Sequence, residues 1–401
     1  MTINVLMVTG AYHPEVNGAA NQCRHLVCGL RNKIHFSVLT TTRDSSLPKQ
    51  SQIDGIRVFR LLLHKRVVKN YCKAILKLTI FFLIRRKDFQ IVHLHGFSLK
   101  SVLLTALSKI FRKKVIIKMT SIGHDDPIAM RRHGFMLNTF FSKAHVYVGT
   151  NPELKKLYQQ SELPSSRYQQ IPNGVDTARF RPVPNQEKLK LRNQLGIPER
   201  MKLILFVGHF SREKCPDLLL KAWVEALAKT LPESGIVFIG STDPDHYEVD
   251  AELVKDIKKV AEPYINERIF FIERTHEIEK YYQASDIFVL PSKREGLPNA
   301  LLEAMASGLP VIVSKLEGIT NWVVTDEKKG LLFEPGNQAE LGIALSRVLI
   351  NEKLANSLAE KARENVIERF SISRVAYEYG ELYRDLLAEM NKPNDVCLVS
   401  D

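Results

Sequence analysis

Short apolar runs of strand length, separated by helical patterns, recur along most of the chain, and this alternation constrains the fold more than any other feature. In the first part the runs are Asn4–Val8, His35–Thr40, Ile91–Leu94, Val115–Lys118 and His145–Gly149. Helical patterns such as Gln22–Leu30, Lys100–Phe111 and Phe135–Phe141 lie between them. Strands that read as near-continuous Val, Ile and Leu are buried on both faces, as in parallel sheets. Their alternation with helices predicts a doubly wound α/β domain. The pattern breaks near Arg179–Asn185, where two prolines stand in R-F-R-P-V-P-N. A second series follows: Leu203–Val207, Gly235–Ile239, Arg268–Ile272, Ile287–Leu290 and Val311–Ser314. A polar helical segment, Asn337 to Met390, comes last. With 401 residues the chain exceeds one ordinary core, so two doubly wound halves are expected. No internal repeat or low-complexity tract is apparent.

The net charge of +13 is unevenly placed. Residues 1–180 carry 28 Lys and Arg against 9 Asp and Glu, a net +19, while the remainder is net −6. The basic half points to an anionic partner: a membrane surface or an acidic polymer, with nucleic acid disfavoured because no binding motif or stacked-aromatic pattern accompanies the charge. Five scattered cysteines, Cys23, Cys28, Cys72, Cys215 and Cys397, lack zinc-ligand spacing and read as reduced thiols. Met1–Gly10 reads as a strand rather than a signal peptide, and no apolar run is long enough to span a bilayer. A cytoplasmic protein, peripheral on the inner face of the membrane, is the expectation.

The segment Ser292–Val313, S-K-R-E-G-L-P-N-A-L-L-E-A-M-A-S-G-L-P-V-I-V, carries the most chemistry. Glu295 lies in a loop, Gly296 and Pro298 lead into a helix bearing Glu303, and Gly308-Leu309-Pro310 ends it. Free amides at a helix start favour an anion, and carboxylates grip hydroxyls, which suits a phosphorylated sugar. The spacing alone is uninformative, since it recurs at Glu225/Glu233, Glu352/Glu360, Glu360/Glu368 and Glu381/Glu389. The setting is what differs: a Gly/Pro loop after a buried strand, where ligands bind in open α/β sheets. Eight residues of helix span roughly 12 Å, against about 5–9.5 Å for a glycosidase pair, so two separate binding roles fit better. The bland reading is a capping acid plus a surface acid.

Other strand ends add candidates. Gly208-His209-Phe210-Ser211-Arg212-Glu213-Lys214 follows Leu203–Val207; Gly208 admits a ligand to the backbone, and Arg212 and Lys214 offer cations to a diphosphate. A solvated basic turn is the alternative. Gly10–Ala20 follows the first strand and forms a phosphate-sized opening, although it is not a dinucleotide fingerprint and reads as an ordinary loop when taken alone. Thr120–Pro127 clusters His124, Asp125 and Asp126, and one of the two aspartates is expected to cap the helix entered at Pro127. His93 and His95 are expected to alternate across their strand, not to share a pocket, and to be satisfied core or rim histidines. Lys65, Lys69, Lys73 and Lys77 form one stripe of a helix between His64 and Lys87, with apolar Ile75, Leu76, Ile80, Phe82 and Leu83. Such a segment suits an anionic bilayer, or equally a core-packed helix with a solvated face.

Taken together and in order, these motifs resemble glycosyltransferase family 4, retaining enzymes of the GT-B fold. I-P-N-G-V-D at Ile171–Asp176 with Phe180, V-G-H-F-S-R-E-K at Val207–Lys214, Tyr281–Asp286 with Val289–Ser292, the Glu-x7-Glu element, and Gly330–Phe333 with Pro335-Gly336 carry the resemblance. It covers residues 145–350 well and the earlier part less. The resemblance implies an α/β GT-B architecture: two Rossmann-like doubly wound domains facing a cleft. Residues 1–180 would form the acceptor side and 181–372 the nucleotide-sugar side. In the remaining 373–401, a helix would cross back to the first domain.

By the same resemblance, Glu295 contacts the donor sugar, Glu303 the ribose hydroxyls and Lys214 the diphosphate. Gly208, Arg212 and the amides at Gly296, Leu297 and Asn299 complete the donor side with Gly18. Asn17, Asp125 and Asp126 stand on the acceptor side, and His124, with Glu295 and Lys214, is a catalytic candidate. Two departures from the family stand out: His209 replaces the usual arginine, with Arg212 a candidate substitute, and His124 is offset from the usual histidine. The implied reaction moves a hexose, with retention, from a nucleoside-diphosphate sugar to a glycan or lipid-linked acceptor, in cell-envelope polysaccharide or glycolipid synthesis. Neither cofactor nor metal is expected. A GT-B-shaped epimerase or sugar phosphorylase would use the same cleft but would not release nucleotide on adding acceptor. A non-catalytic protein that binds an anionic polymer would consume no nucleotide sugar.

Overall fold

The structure is a computed structural model that describes residues 2–15, 17–63, 68–243, 248–273 and 275–391. Two compact units emerge. The described residues among 1–150, 154–172 and 373–391 form the first, and 151–153 with 173–372 form the second.

In the first unit eight strands form one sheet: β1 Asn4–Val8, β2 His35–Thr42, β3 Gln50–Ile53, β4 Ile56–Leu62, β5 Ile91–His95, β6 Lys114–Met119, β7 Val146–Gly149 and β8 Tyr168–Gln170. Their order is β3-β4-β2-β1-β5-β6-β7-β8, and all pairs are parallel except β3–β4. The order reverses at β1, so the ends of β1 and β5 open at a topological switch point. Helices cover both faces. The helix Ile372–Asn391 places Tyr379, Tyr383 and Leu386 in a core with Val5, Met7 and Val27. The helix Val68–Arg85 buries Leu78 and Phe82, yet leaves Ile75, Leu76, Ile80 and Ile84 exposed beside exposed Lys73 and Lys77. Lys65 of that stripe lies outside the described residues.

The second unit holds β9 Lys202–Val207, β10 Ser234–Ile239, β11 Ile269–Ile272, β12 Ile287–Leu290, β13 Val311–Ser314 and β14 Leu331–Phe333, all parallel, in the order β11-β10-β9-β12-β13-β14. Here the reversal falls at β9, the strand that runs into Gly208. Leu203, Leu205, Phe288, Val311 and Val313 pack under the helix Asn299–Ala306. Asp286 pins the opposite strand ends: it accepts from Lys188 Nζ at 2.7 Å, Arg192 Nη2 at 2.6 Å and the Leu203 amide at 2.7 Å.

The hairpin β3–β4 had no counterpart in the sequence expectation. It turns at Asp54-Gly55, both at positive φ (52° and 82°), the dipeptide that favours a tight two-residue hairpin. The expectation for the two histidines of β5 is overturned. Residues i and i+2 of a strand share a face, so the His93 and His95 rings lie 4.6 Å apart on one side of the sheet.

Candidate active site

In the second unit two loops meet at the switch point. One follows β9 and carries Gly208 to Lys214; the other follows β12 and carries Ser292 to Asn299. They are laced together: the Lys293 amide donates to the Glu213 carbonyl at 2.7 Å, and Arg294 pairs with Glu213 at 2.6 Å. Lys214 Nζ donates to both oxygens of Glu295, at 2.7 and 2.8 Å. Thus two residues distant in sequence are brought into one charge-assisted pair. Gly208 meets a second glycine here. A Cβ on Gly240, whose φ is 156°, would stand 1.9 Å from the Gly208 carbonyl oxygen, so only glycine permits this approach.

Pro298 caps the helix Asn299–Ala306, and Gly308, at φ 74°, follows its end. Having no N–H, Pro298 removes one amide from the loop's donors. Two asparagines brace the loop from outside the motif. Asn151 Nδ2 donates to the Gly296 carbonyl at 3.0 Å, and Asn173 Nδ2 donates to the Leu297 carbonyl and the Asn299 Oδ1, each at 3.0 Å. Neither bracing role was expected. Asn173 belongs to the I-P-N-G-V-D segment, which is the only sequence signal for it.

Glu295 and Glu303 are equally buried, each 8% exposed, but their surroundings differ. Glu295 has an ammonium partner, whereas Glu303 accepts from the buried phenol of Tyr282 at 2.9 Å. Burial pushes the Glu303 carboxyl up to about 7, against the lowering effect of that hydrogen bond and of Arg179. Tyr282 is itself held edge-on by Phe180, with ring centroids 5.6 Å apart. The aromatic residue of the I-P-N-G-V-D signature therefore supports the phenol that orients Glu303.

Arg212 and His209 on the β9 loop are both engaged with acids. Arg212 Nε bonds Asp250 at 2.6 Å and its side chain is largely exposed; His209 Nε2 lies 2.8 Å from Glu248.

The first unit has a pocket of about 400 Å³ at the ends of β1, β5 and β6, lined in part by Gly10, His95, Lys100, Thr120, His124 and Asp125. His124 is exposed there. Asp125 is spent on its own loop: it accepts from the Thr120 amide and hydroxyl and from the Ser121 amide. Asp126 caps the helix entered at Pro127, as one of the pair was expected to, by accepting from the Ile128 and Ala129 amides. Asn17 likewise caps the helix Gly18–Leu30 through the Ala20 amide at 2.8 Å, and Gly18 is that helix's exposed first residue.

Buried nitrogen groups line and back this pocket. Lys100 Nζ donates to the Thr9 carbonyl at 2.7 Å, and burial pulls its ammonium down to about 8. Lys118, over the Tyr379 ring at 5.7 Å, is likewise lowered to about 8 by burial. His93 Nδ1 meets the Tyr383 hydroxyl at 2.7 Å, while neither ring nitrogen of His95 has a hydrogen-bond partner. Among the described residues no group of three or more His, Cys, Asp or Glu could hold a metal ion.

Comparison with known proteins agrees with this geometry. The family model "Glycosyltransferase Family 4" matches residues 16–179, and "Glycosyl transferases group 1" matches 187–365. An Escherichia coli UDP-Gal:α-D-GlcNAc-diphosphoundecaprenol α-1,3-galactosyltransferase is 32% identical over 220 residues, which is 54% of this chain and 54% of that protein. The chain thus matches about half the length of that relative. An uncharacterized glycosyltransferase of Methanocaldococcus jannaschii is 24% identical across 97% of this chain and all of its own length. Sucrose-phosphate synthase of Thermosynechococcus elongatus shares the fold with a TM-score of 0.79, at 23% identity, over 96% of this chain and 100% of that one. By its two family models, its GT-B fold and its ordered motifs, the chain belongs to glycosyltransferase family 4.

Proposed function

We propose that this protein transfers a hexose from a nucleoside-diphosphate sugar to a lipid-linked or glycan acceptor in cell-envelope synthesis. Transfer proceeds with retention and without a metal. The observation that carries this reading is the Lys214–Glu295 pair at the end of β9, beside the braced Gly296–Asn299 loop. As the bond between the anomeric carbon and the diphosphate breaks, negative charge grows on the leaving oxygen. Lys214 and the loop amides are preorganised to receive it. Glu295, released from Lys214 by the diphosphate, grips sugar hydroxyls, and Glu303 accepts from the ribose diol. The first-unit pocket takes the acceptor, with His124 at its rim.

The E. coli relative's name pairs a UDP-sugar with a lipid diphosphate, so that combination is the first to assay. A screen of UDP- and GDP-sugars reporting nucleotide release on adding acceptor tests the reading. Nucleotide release that needs acceptor, persists in chelator and yields the donor's own anomeric configuration is the expected result. Consumption of donor without glycoside, or a strict metal requirement, would contradict it.

A lipid-borne acceptor requires the protein to meet a membrane. No helix among the described residues is long and apolar enough to cross one. Peripheral attachment through the helix Val68–Arg85, with Lys73 and Lys77 beside exposed Ile75, Leu76 and Ile80, supplies that contact.

A further inference from the structure

A second surface of the first unit carries its own signal. The short helices Pro127–Arg132 and Phe135–Phe141 form a hairpin bent at Gly134, whose φ of 109° strongly favours glycine. Its base is fixed: Ala129, Met130 and Phe141 are buried with Phe97 and Leu104. Its tip is not covered. Phe135 is 87% exposed and Met136 50%, and Leu99, at the start of the neighbouring helix Leu99–Ile110, is 57% exposed. Their neighbours in sequence, Ser98, Lys100, His133 and Leu137, line the first-unit pocket, which places the three near its rim. Exposed Phe, Met and Leu near one pocket rim are not the scattered exposure expected of an ordinary surface.

The exposed charge on the hairpin itself has a single sign. Residues 125–141 contain two Arg and two acids. Both acids, Asp125 and Asp126, are buried and bonded within their own loop. Arg131, Arg132 and His133 are exposed directly beside Phe135. Arg131 reaches one acid, Glu162, at 3.3 Å in an exposed pair, which contributes little. Apolar side chains that protrude rather than form a groove, flanked by two exposed arginines, match a surface with an anionic face and an apolar interior.

We infer that the hairpin tip, Phe135 and Met136 with Leu99, inserts into an anionic bilayer and seats the mouth of the first-unit pocket on the membrane. This rests on the reading of a membrane-borne acceptor and adds to it a defined insertion point, separate from the helix Val68–Arg85. Arg131 and Arg132 meet lipid phosphates while the three apolar side chains enter the acyl boundary. A headgroup would then enter the pocket from the lipid side without leaving the membrane.

The test is flotation of the full chain with vesicles of phosphatidylcholine and phosphatidylglycerol, compared with phosphatidylcholine alone. The F135S/M136S/L99S variant should stay folded with at most a modest fall in melting temperature, since Phe135 is largely exposed and Met136 and Leu99 are half-exposed. It should bind the anionic vesicles at least about tenfold more weakly. The R131Q/R132Q variant should retain binding but lose much of its salt dependence. If the serine variant floats like wild type while K73Q/K77Q does not, the hairpin inference falls and attachment through the other helix stands. If wild type binds no vesicle, the membrane reading itself fails. Self-association of wild type, abolished in the serine variant with no vesicle binding, would assign the hairpin tip to a second copy instead and overturn the inference.

Discussion

The two candidate sites differ in how their polar groups are kept. In the second unit the candidate groups are already paired: Lys214 with Glu295, Arg294 with Glu213, Glu303 with Tyr282. In the first unit the aspartates are spent on their own loop, and a buried histidine stands without a partner. On the proposed reading, the Lys214–Glu295 pair keeps both side chains at the site until the diphosphate takes Lys214 over, after which no further reorganisation is needed as the bond breaks. A site that must accept a varied hydroxyl or headgroup can leave donors and acceptors unmatched until the ligand arrives, at a cost in stability. On this view the second unit is built for one constant chemistry and the first for binding.

The sharpest way to break that contrast is Lys214→Ala. Turnover at saturating donor should fall by about 10²–10³-fold, the usual loss for one charge-stabilising donor; undiminished turnover would remove the central role given to the β9 loop. Glu303 offers the next largest effect, with opposite signs for stability and function. Its carboxyl binds a proton more tightly folded than unfolded, so the folded state loses stability as pH rises from the ordinary carboxyl range through about 7. Glu303→Gln should therefore be more stable than wild type at pH 8, by on the order of 2 kcal/mol, with the gap closing toward pH 4.5. Nucleotide binding should weaken in the same variant. Urea melts across that range check the first statement, and titration with UDP or GDP the second.

In the first unit, His95→Leu should leave stability unchanged or raise it by about 1 kcal/mol, since an unsatisfied buried polar group is removed. A marked loss in denaturant midpoint would mean that His95 is held by a bond, and the contrast between sites would weaken. The smallest effect belongs to Asn17→Ala, about 1 kcal/mol of stability from the lost helix cap. If Asn17 acts only as a cap, acceptor KM should not move.

Much of this was legible in sequence, for identifiable reasons. Parallel strands buried on both faces announce themselves as Val/Ile/Leu runs, and Glu295, Glu303 and Lys214 stand out because Gly and Pro mark their loops. The antiparallel β3–β4 hairpin is faint in the sequence because Gln50–Ile53 is polar, although Asp54-Gly55 signals the turn. The shared face of His93 and His95 is itself legible, since residues i and i+2 of a strand point the same way. Asn151 and Asn173 were beyond reach, since they contact residues 145 and 124–126 positions away. The same is true of the Tyr282 phenol, whose link to Glu303 depends on two helices meeting. Exposure of Phe135 was equally hidden: an apolar residue at a helix start reads as core until its packing is known.

The most direct test is a crystal structure of the protein with UDP or GDP bound. The diphosphate oxygens should lie about 3 Å from Lys214 Nζ, with the ribose hydroxyls on Glu303. A nucleotide seated away from the β9 and β12 loops, or Lys214 still bonded to both oxygens of Glu295 with the diphosphate out of reach, would contradict the assignment.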